Sequence, residues 1–344
     1  MNLKKRFAAA VATVGVSLSL VPAVANAQPE LPQLPPLPAP PAPPALPGNI
    51  QLPPLPDNIP LPPLPPGPNL SAPPQVNQDV NESYVSFGDS LAANPTMLDI
   101  AVSRYQRQHP EFKWPTIRDG FCAQGPNNFP SQTAQKTGLR LADYSCGGAT
   151  AYVPSNPGDP IPHTTLTQQV DQAIGNGDLD GRTRLVSLSI GVNDLWQPGN
   201  GENVGQAERN RLYHETVTSQ LQRIKAAAPN AKVIMVGVPD QTDGANHTCA
   251  TNLLGVTSHW YYPIVPYYQD ELRNQQRSAA EAEGVQFLDM ADEISAASGK
   301  NGCSNDPNRL SAAIFDDAPH NFTFHLTDAG HVYYSDRLTQ EYRA

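Results

Sequence analysis

Beyond its first two dozen residues the chain has no run approaching the ~20 apolar residues that a membrane-spanning helix needs. It has no Cys-x-x-Cys pair and no His-Glu-x-x-His, so the short spacings that mark a thiol redox centre or a zinc site are missing, and no metal or other cofactor is expected. Basic residues are scarce: 22 Lys and Arg stand against 32 Asp and Glu. So acidic a surface argues against non-specific binding to nucleic acid.

The N-terminus carries Lys4, Lys5 and Arg6, then an apolar stretch from Phe7 to about Val24, then Ala25-Asn26-Ala27. A basic region, a short apolar core and an A-x-A site make a secretory signal peptide, expected to be cleaved after Ala27. Residues 28–79 are dominated by Pro and Leu, and Gln-Leu-Pro-Pro-Leu-Pro occurs from Gln33 and again from Gln51. Proline feeds neither a helix nor a sheet ladder, so an extended spacer is expected, reaching ~150 Å at about 3.1 Å per residue. It reads either as a plain linker or as a stalk that associates the protein with a cell wall. Residues 80–344 suit one globular domain.

All four cysteines, Cys122, Cys146, Cys249 and Cys303, lie in that domain. An even number in an exported chain implies two disulfides, with three pairings open.

Short apolar runs alternate with helix-like segments there. Strands are expected over residues 83–87, 141–145, 184–190, 232–236 and 285–290. Helices are expected over 132–137, 165–174, 207–228 and 267–283, and a last one from Thr327, its N-cap, to about residue 341. Five strands separated by helices imply a three-layer α/β/α sandwich around a flavodoxin-like five-stranded parallel sheet. Ligands in such sheets bind at the carboxyl ends of the strands.

The small polar clusters fall at that edge. Gly88-Asp89-Ser90-Leu91 follows the first expected strand, Cys146-Gly147-Gly148-Ala149-Thr150 the second, and Gly191-Val192-Asn193-Asp194 the third. His325-Leu326-Thr327-Asp328-Ala329-Gly330-His331 precedes the last helix. Acyl transfer needs a nucleophile, a base and donors for the oxyanion. Ser90 supplies the first and a histidine the second. The Gly148 N–H and the Asn193 amide are candidate donors, together with the Ser90 N–H.

This order of motifs resembles the SGNH hydrolases, also called GDSL esterases and lipases, across residues 83–343. The resemblance implies a secreted serine esterase or lipase that cleaves carboxylic esters, with Ser90 as nucleophile, Gly148 and Asn193 in the oxyanion hole, and His325, five residues before Gly330, as general base. It also implies a small-molecule, lipid or glycan ester as substrate. Resemblance to the secreted, disulfide-bearing branch pairs Cys122 with Cys146 and Cys249 with Cys303. Related folds include O-acyltransferases and deacylases of cell-envelope glycans, so a sugar hydroxyl is the alternative acyl acceptor. A silent binding module of the same fold and a wall protein whose active part is the proline-rich segment are the other readings.

The chain departs from the family at three places. Gly147 stands where Ser is usual. Phe322 stands where an Asp three residues before the histidine is usual, and Leu326 where Pro is usual. The resemblance then implies a Ser–His dyad whose imidazole is oriented by a main-chain carbonyl, that of Phe322; Asp316 or Asp317 folding back is the other possibility. His320 and His331 also follow an Asp by three residues, but neither has the glycine spacing and His331 falls inside the last helix.

Overall fold

The computed structural model describes residues 81–119, 121–156, 159, 161–196 and 204–344. The expected leader and the proline-rich segment lie outside the described residues. Two units divide the chain, Met1–Ala72 and Pro73–Ala344, and every described residue belongs to the second.

In chain order the elements are β1 (Ser83–Gly88), α1 (Ser90–Ala93), α2 (Met97–Gln108), β2 (Ile117–Arg118), β3 (Cys122–Ala123), α3 (Phe129–Thr137), β4 (Arg140–Asp143), α4 (Leu166–Gly175) and β5 (Thr183–Ser189). There follow α5 (Val192–Trp196), α6 (Gln206–Ala227), β6 (Lys232–Val236), β7 (His247–Leu253), β8 (Val256–Tyr261) and α7 (Ile264–Glu283). The last are β9 (Gln286–Leu288), α8 (Met290–Glu293), β10 (Phe315–Asp316) and α9 (Asp328–Arg343).

Five strands form one parallel sheet in the order β4-β1-β5-β6-β9. The expected α/β architecture is therefore what the chain adopts. Every residue of β1 is buried. A strand covered on both faces reads as a continuous apolar run rather than an alternation, which is why β5 and β6 were legible. Tyr84, Phe87, Leu185, Leu188 and Ile234 are fully buried and form the centre of the core. The chain leaves β1 for β4 on one side and reaches β5 on the other, so the strand order reverses beside the end of β1. That is the topological switch point, where open α/β sheets place their ligands.

Two helices begin earlier than expected, and proline is the reason in both. Pro130 sits in the first turn of α3 and Pro266 in the first turn of α7. A first-turn proline loses no helical hydrogen bond and its fixed φ suits a helix, so it marks a start rather than a break. Asn128 caps α3 by accepting the Ser131 N–H at 2.9 Å. Thr327 caps α9 through the Gly330 N–H at 3.0 Å.

Two features were not foreseen. Helix α2 is capped by a reciprocal Thr96–Asp99 box, and its Ile100 packs with Ile117 and Ala123 in a small second core that touches Phe322. A three-stranded sheet, β10-β7-β8, lies apart from the main one. Trp260 and Tyr261 stand exposed on its strand β8. No described helix is long and apolar enough to cross a membrane.

Candidate active site

Ser90 opens α1 immediately after β1, and Asp89 caps that helix by accepting the Leu91 N–H at 3.0 Å. The turn is pinned from two sides. Asp89 N–H donates to Ser189 O at 3.0 Å and Cys146 N–H to Gly88 O at 3.1 Å. A Cβ on Gly88 would lie 2.6 Å from Ser189 O, so only glycine fits where the two strands converge. Gln169, on α4, donates through Nε2 to Gly88 O and accepts the Gly88 N–H through Oε1, both at 2.9 Å. Sequence reasoning missed Gln169; its signal was a polar residue on the buried stripe of an amphipathic helix.

His325 reaches the same point from 235 residues away. Its Nε2 lies 2.8 Å from Ser90 Oγ. Its Nδ1 lies 3.0 Å from Thr323 O. A carbonyl only accepts, so Nδ1 carries the ring proton and Nε2 is left as acceptor for the serine hydroxyl. Burial pulls the His325 pKa down to about 4, against hydrogen bonds to the backbone of Thr323 and Phe324 that pull it up. The imidazole is therefore neutral at pH 7, the form a general base requires.

The expected orienter needs correction. The carbonyl at Nδ1 belongs to Thr323, not Phe322, because the chain turns at Phe324, whose φ is 61°. Phe322 meets the imidazole with its ring instead, edge-on, with centroids 4.6 Å apart. Neither Asp316 nor Asp317 folds back. Asp316 accepts from Arg309, Ala313 N–H and Ala318 N–H. Asp317 accepts from Arg309 at 2.6 Å and from Leu254 N–H at 2.6 Å. Both acids instead fix the loop that leads to the histidine.

The other two histidines are elsewhere. His320 Nδ1 bonds Ala318 O at 2.6 Å. His331 is buried inside α9 against Phe129, with ring centroids 6.3 Å apart. Gly330 has a packing cause: a Cβ there would fall 1.9 Å from Leu310 O.

The two candidate donors lie on neighbouring loops. Ala149 N–H bonds Cys146 O at 2.9 Å, closing a tight turn in which Gly148 takes φ 84°, a conformation that strains other residues. Asn193, 9 % exposed, donates through Nδ2 to Ala149 O at 2.9 Å. Cys146 is bonded to Cys122 and Cys249 to Cys303, so the pairing implied by resemblance is the one present, and the first bridge anchors the Gly148 turn. Among the described residues no group of three or more His, Cys, Asp or Glu could hold a metal ion.

A parallel α/β sheet with a serine and a neutral histidine in contact at its carboxyl edge is the framework of a hydrolytic enzyme. The model of the GDSL-like lipase/acylhydrolase family matches residues 86–333. The chain belongs to that family and is a carboxylic ester hydrolase. It is 25 % identical over 244 residues to Lipase 2 of Streptomyces coelicolor, a match covering 64 % of this chain and 73 % of that one. Among solved structures, phospholipase A1 from Streptomyces albidoflavus NA297 is similar at TM-score 0.48 and 18 % identity, over 76 % of this chain and 98 % of that one. The extracellular lipase from Streptomyces rimosus is similar at TM-score 0.46 and 19 % identity, over 76 % and 99 %.

Proposed function

We propose that the protein is a secreted serine esterase or lipase working by a two-step acyl transfer. Ser90 Oγ attacks the ester carbonyl carbon while His325 Nε2 takes the hydroxyl proton. The oxyanion is held by the N–H groups of Ser90 and Gly148 and by the Asn193 amide. The imidazolium returns its proton to the leaving alcohol, and the Ser90 acyl ester is then hydrolysed by water that His325 activates in the same way. The observation that carries this reading is the 2.8 Å contact between Ser90 Oγ and His325 Nε2. Thr323 O fixes the tautomer as a triad aspartate would, without a negative charge to stabilise the imidazolium.

Secretion is supported by the leader-like N-terminus and by the two disulfides, which persist in oxidising compartments. The name of the Streptomyces coelicolor relative favours acyl chains of lipid length among the possible substrates. Turnover of p-nitrophenyl esters of increasing chain length by the wild type and Ser90→Ala tests the reading. The variant should be inactive at every length, and equal rates would remove Ser90 from the mechanism.

A further inference from the structure

Two acids beside the site, Asp89 and Asp194, take no part in the steps above. They are 2 % and 1 % exposed. Asp89 accepts only from Leu91 N–H, in its own turn, among the described residues. The partners of Asp194 are backbone N–H groups on a loop other than its own. Asp194 Oδ2 accepts the Ala151 N–H at 2.6 Å, and its Oδ1 accepts those of Tyr152 and Val153 at 3.0 and 3.2 Å.

The three oxyanion donors come from three loops, after β1, β4 and β5. Sheet hydrogen bonds fix the roots of those loops but not their tips. A displacement of about 1 Å at a reacting centre costs on the order of 10²-fold in rate, so something must hold the tips together. A carboxylate has about four lone-pair sites and can accept several N–H groups at once, and such charge-assisted bonds are roughly twice as strong as neutral ones. We propose that Asp194 is a positioning residue that braces the oxyanion hole: it ties the Asn193 turn to the segment following Gly148. The Asn193 bond to Ala149 O closes the same frame. The proposal rests on the oxyanion assignments given above.

The brace carries its own pH dependence. Burial, and for Asp89 also the charge of Asp194, push Asp89 up to about 7 and Asp194 up to about 6, against the N–H bonds that pull them down. The groups facing the pair are Tyr152 and Tyr213, whose hydroxyls burial and then its charge push higher, and the Arg209–Glu271 ion pair beyond Tyr152. On acidification Asp194 takes up its proton before His325 does. A proton on Asp194 removes acceptor capacity from the brace while the base is still competent.

Steady-state kinetics on a p-nitrophenyl ester from pH 4 to 9, for wild type and Asp194→Asn, test this. The amide keeps the shape of the carboxylate but turns an N–H₂ toward N–H groups. Expected are a wild-type kcat that falls on the acid side with a midpoint near 6, where Asp194 titrates, a roughly 10- to 100-fold lower kcat in the variant with KM within about twofold, and loss of that midpoint. A variant with wild-type kcat, KM and pH profile overturns the proposal. If the variant does not fold, the wild-type profile still decides: an acid limb centred near 4, where His325 titrates, overturns it. Ser90→Ala in the same assay separates the two layers, because turnover by that variant refutes the site itself, whereas an inactive Ser90→Ala beside an unaltered Asp194→Asn refutes only the brace.

Discussion

His325 Nδ1 lies 3.0 Å from the carbonyl oxygen of Thr323, a residue only two positions before it in the chain. The group that orients the base is thus built by the local turn and needs no distant acid. Side-chain substitution at Thr323 leaves this acceptor in place, so the dyad is tested through the ring itself. His325→Gln should lower kcat by about 10⁴-fold or more while the protein stays folded, and Asn193→Ala by about 10²–10³-fold. Initial rates on a p-nitrophenyl ester measure both.

Asp316→Asn separates an orienting acid from a structural one. Asp316 and Arg309 form a buried pair, their side chains 0 % and 2 % exposed. Removing one partner of such a pair costs about 3–5 kcal/mol when the other charge is left alone, and Asp317, which also accepts from Arg309, holds the loss below that range. The variant should unfold at markedly lower denaturant concentration, yet its folded fraction should keep a kcat near that of the wild type. A large fall in kcat at unchanged stability would return Asp316 to the catalytic group.

His331 provides a pH test of stability. Burial pulls its pKa down to about 3, with a further push from the charge of His325. The unfolded chain therefore binds more protons between about pH 3 and 6.5, and the contribution of His331 to stability falls as pH drops through 6.5. His331→Phe removes this penalty. Whatever the offset at pH 7, the variant should gain on the wild type by up to about 1.4 kcal/mol per pH unit on going down to pH 4.5. Chemical denaturation at both pH values measures the difference, and a constant offset would contradict the burial argument.

Much of this was legible in the chain because the buried parallel strands and the site motifs are both local. Leu185-Val186-Ser187-Leu188-Ser189-Ile190 reads as a strand covered on both faces, and Gly-Asp-Ser-Leu follows a strand of the same kind. What was not legible depends on non-local or turn geometry. Phe322 occupies the usual acid position, but the carbonyl that orients the imidazole is set by the left-handed turn at Phe324. Gln169 braces the Ser90 turn from a helix 81 residues away, and no short pattern announces that. Strands β7 and β8 were missed because their polar and aromatic residues show no clean alternation toward a core, and the starts of α3 and α7 were placed too late because they lie ahead of the first-turn residues Pro130 and Pro266.

The central claim is that Ser90, activated by His325, carries the acyl group. Incubation with a fluorophosphonate followed by peptide mapping tests it most directly, because the reagent traps the activated serine as a stable adduct. One equivalent should be bound, on the peptide containing Gly88-Asp89-Ser90-Leu91, with loss of esterase activity in proportion and with labelling greatly slowed in His325→Gln. An adduct on another residue, or full turnover after Ser90 has been modified, would contradict the account.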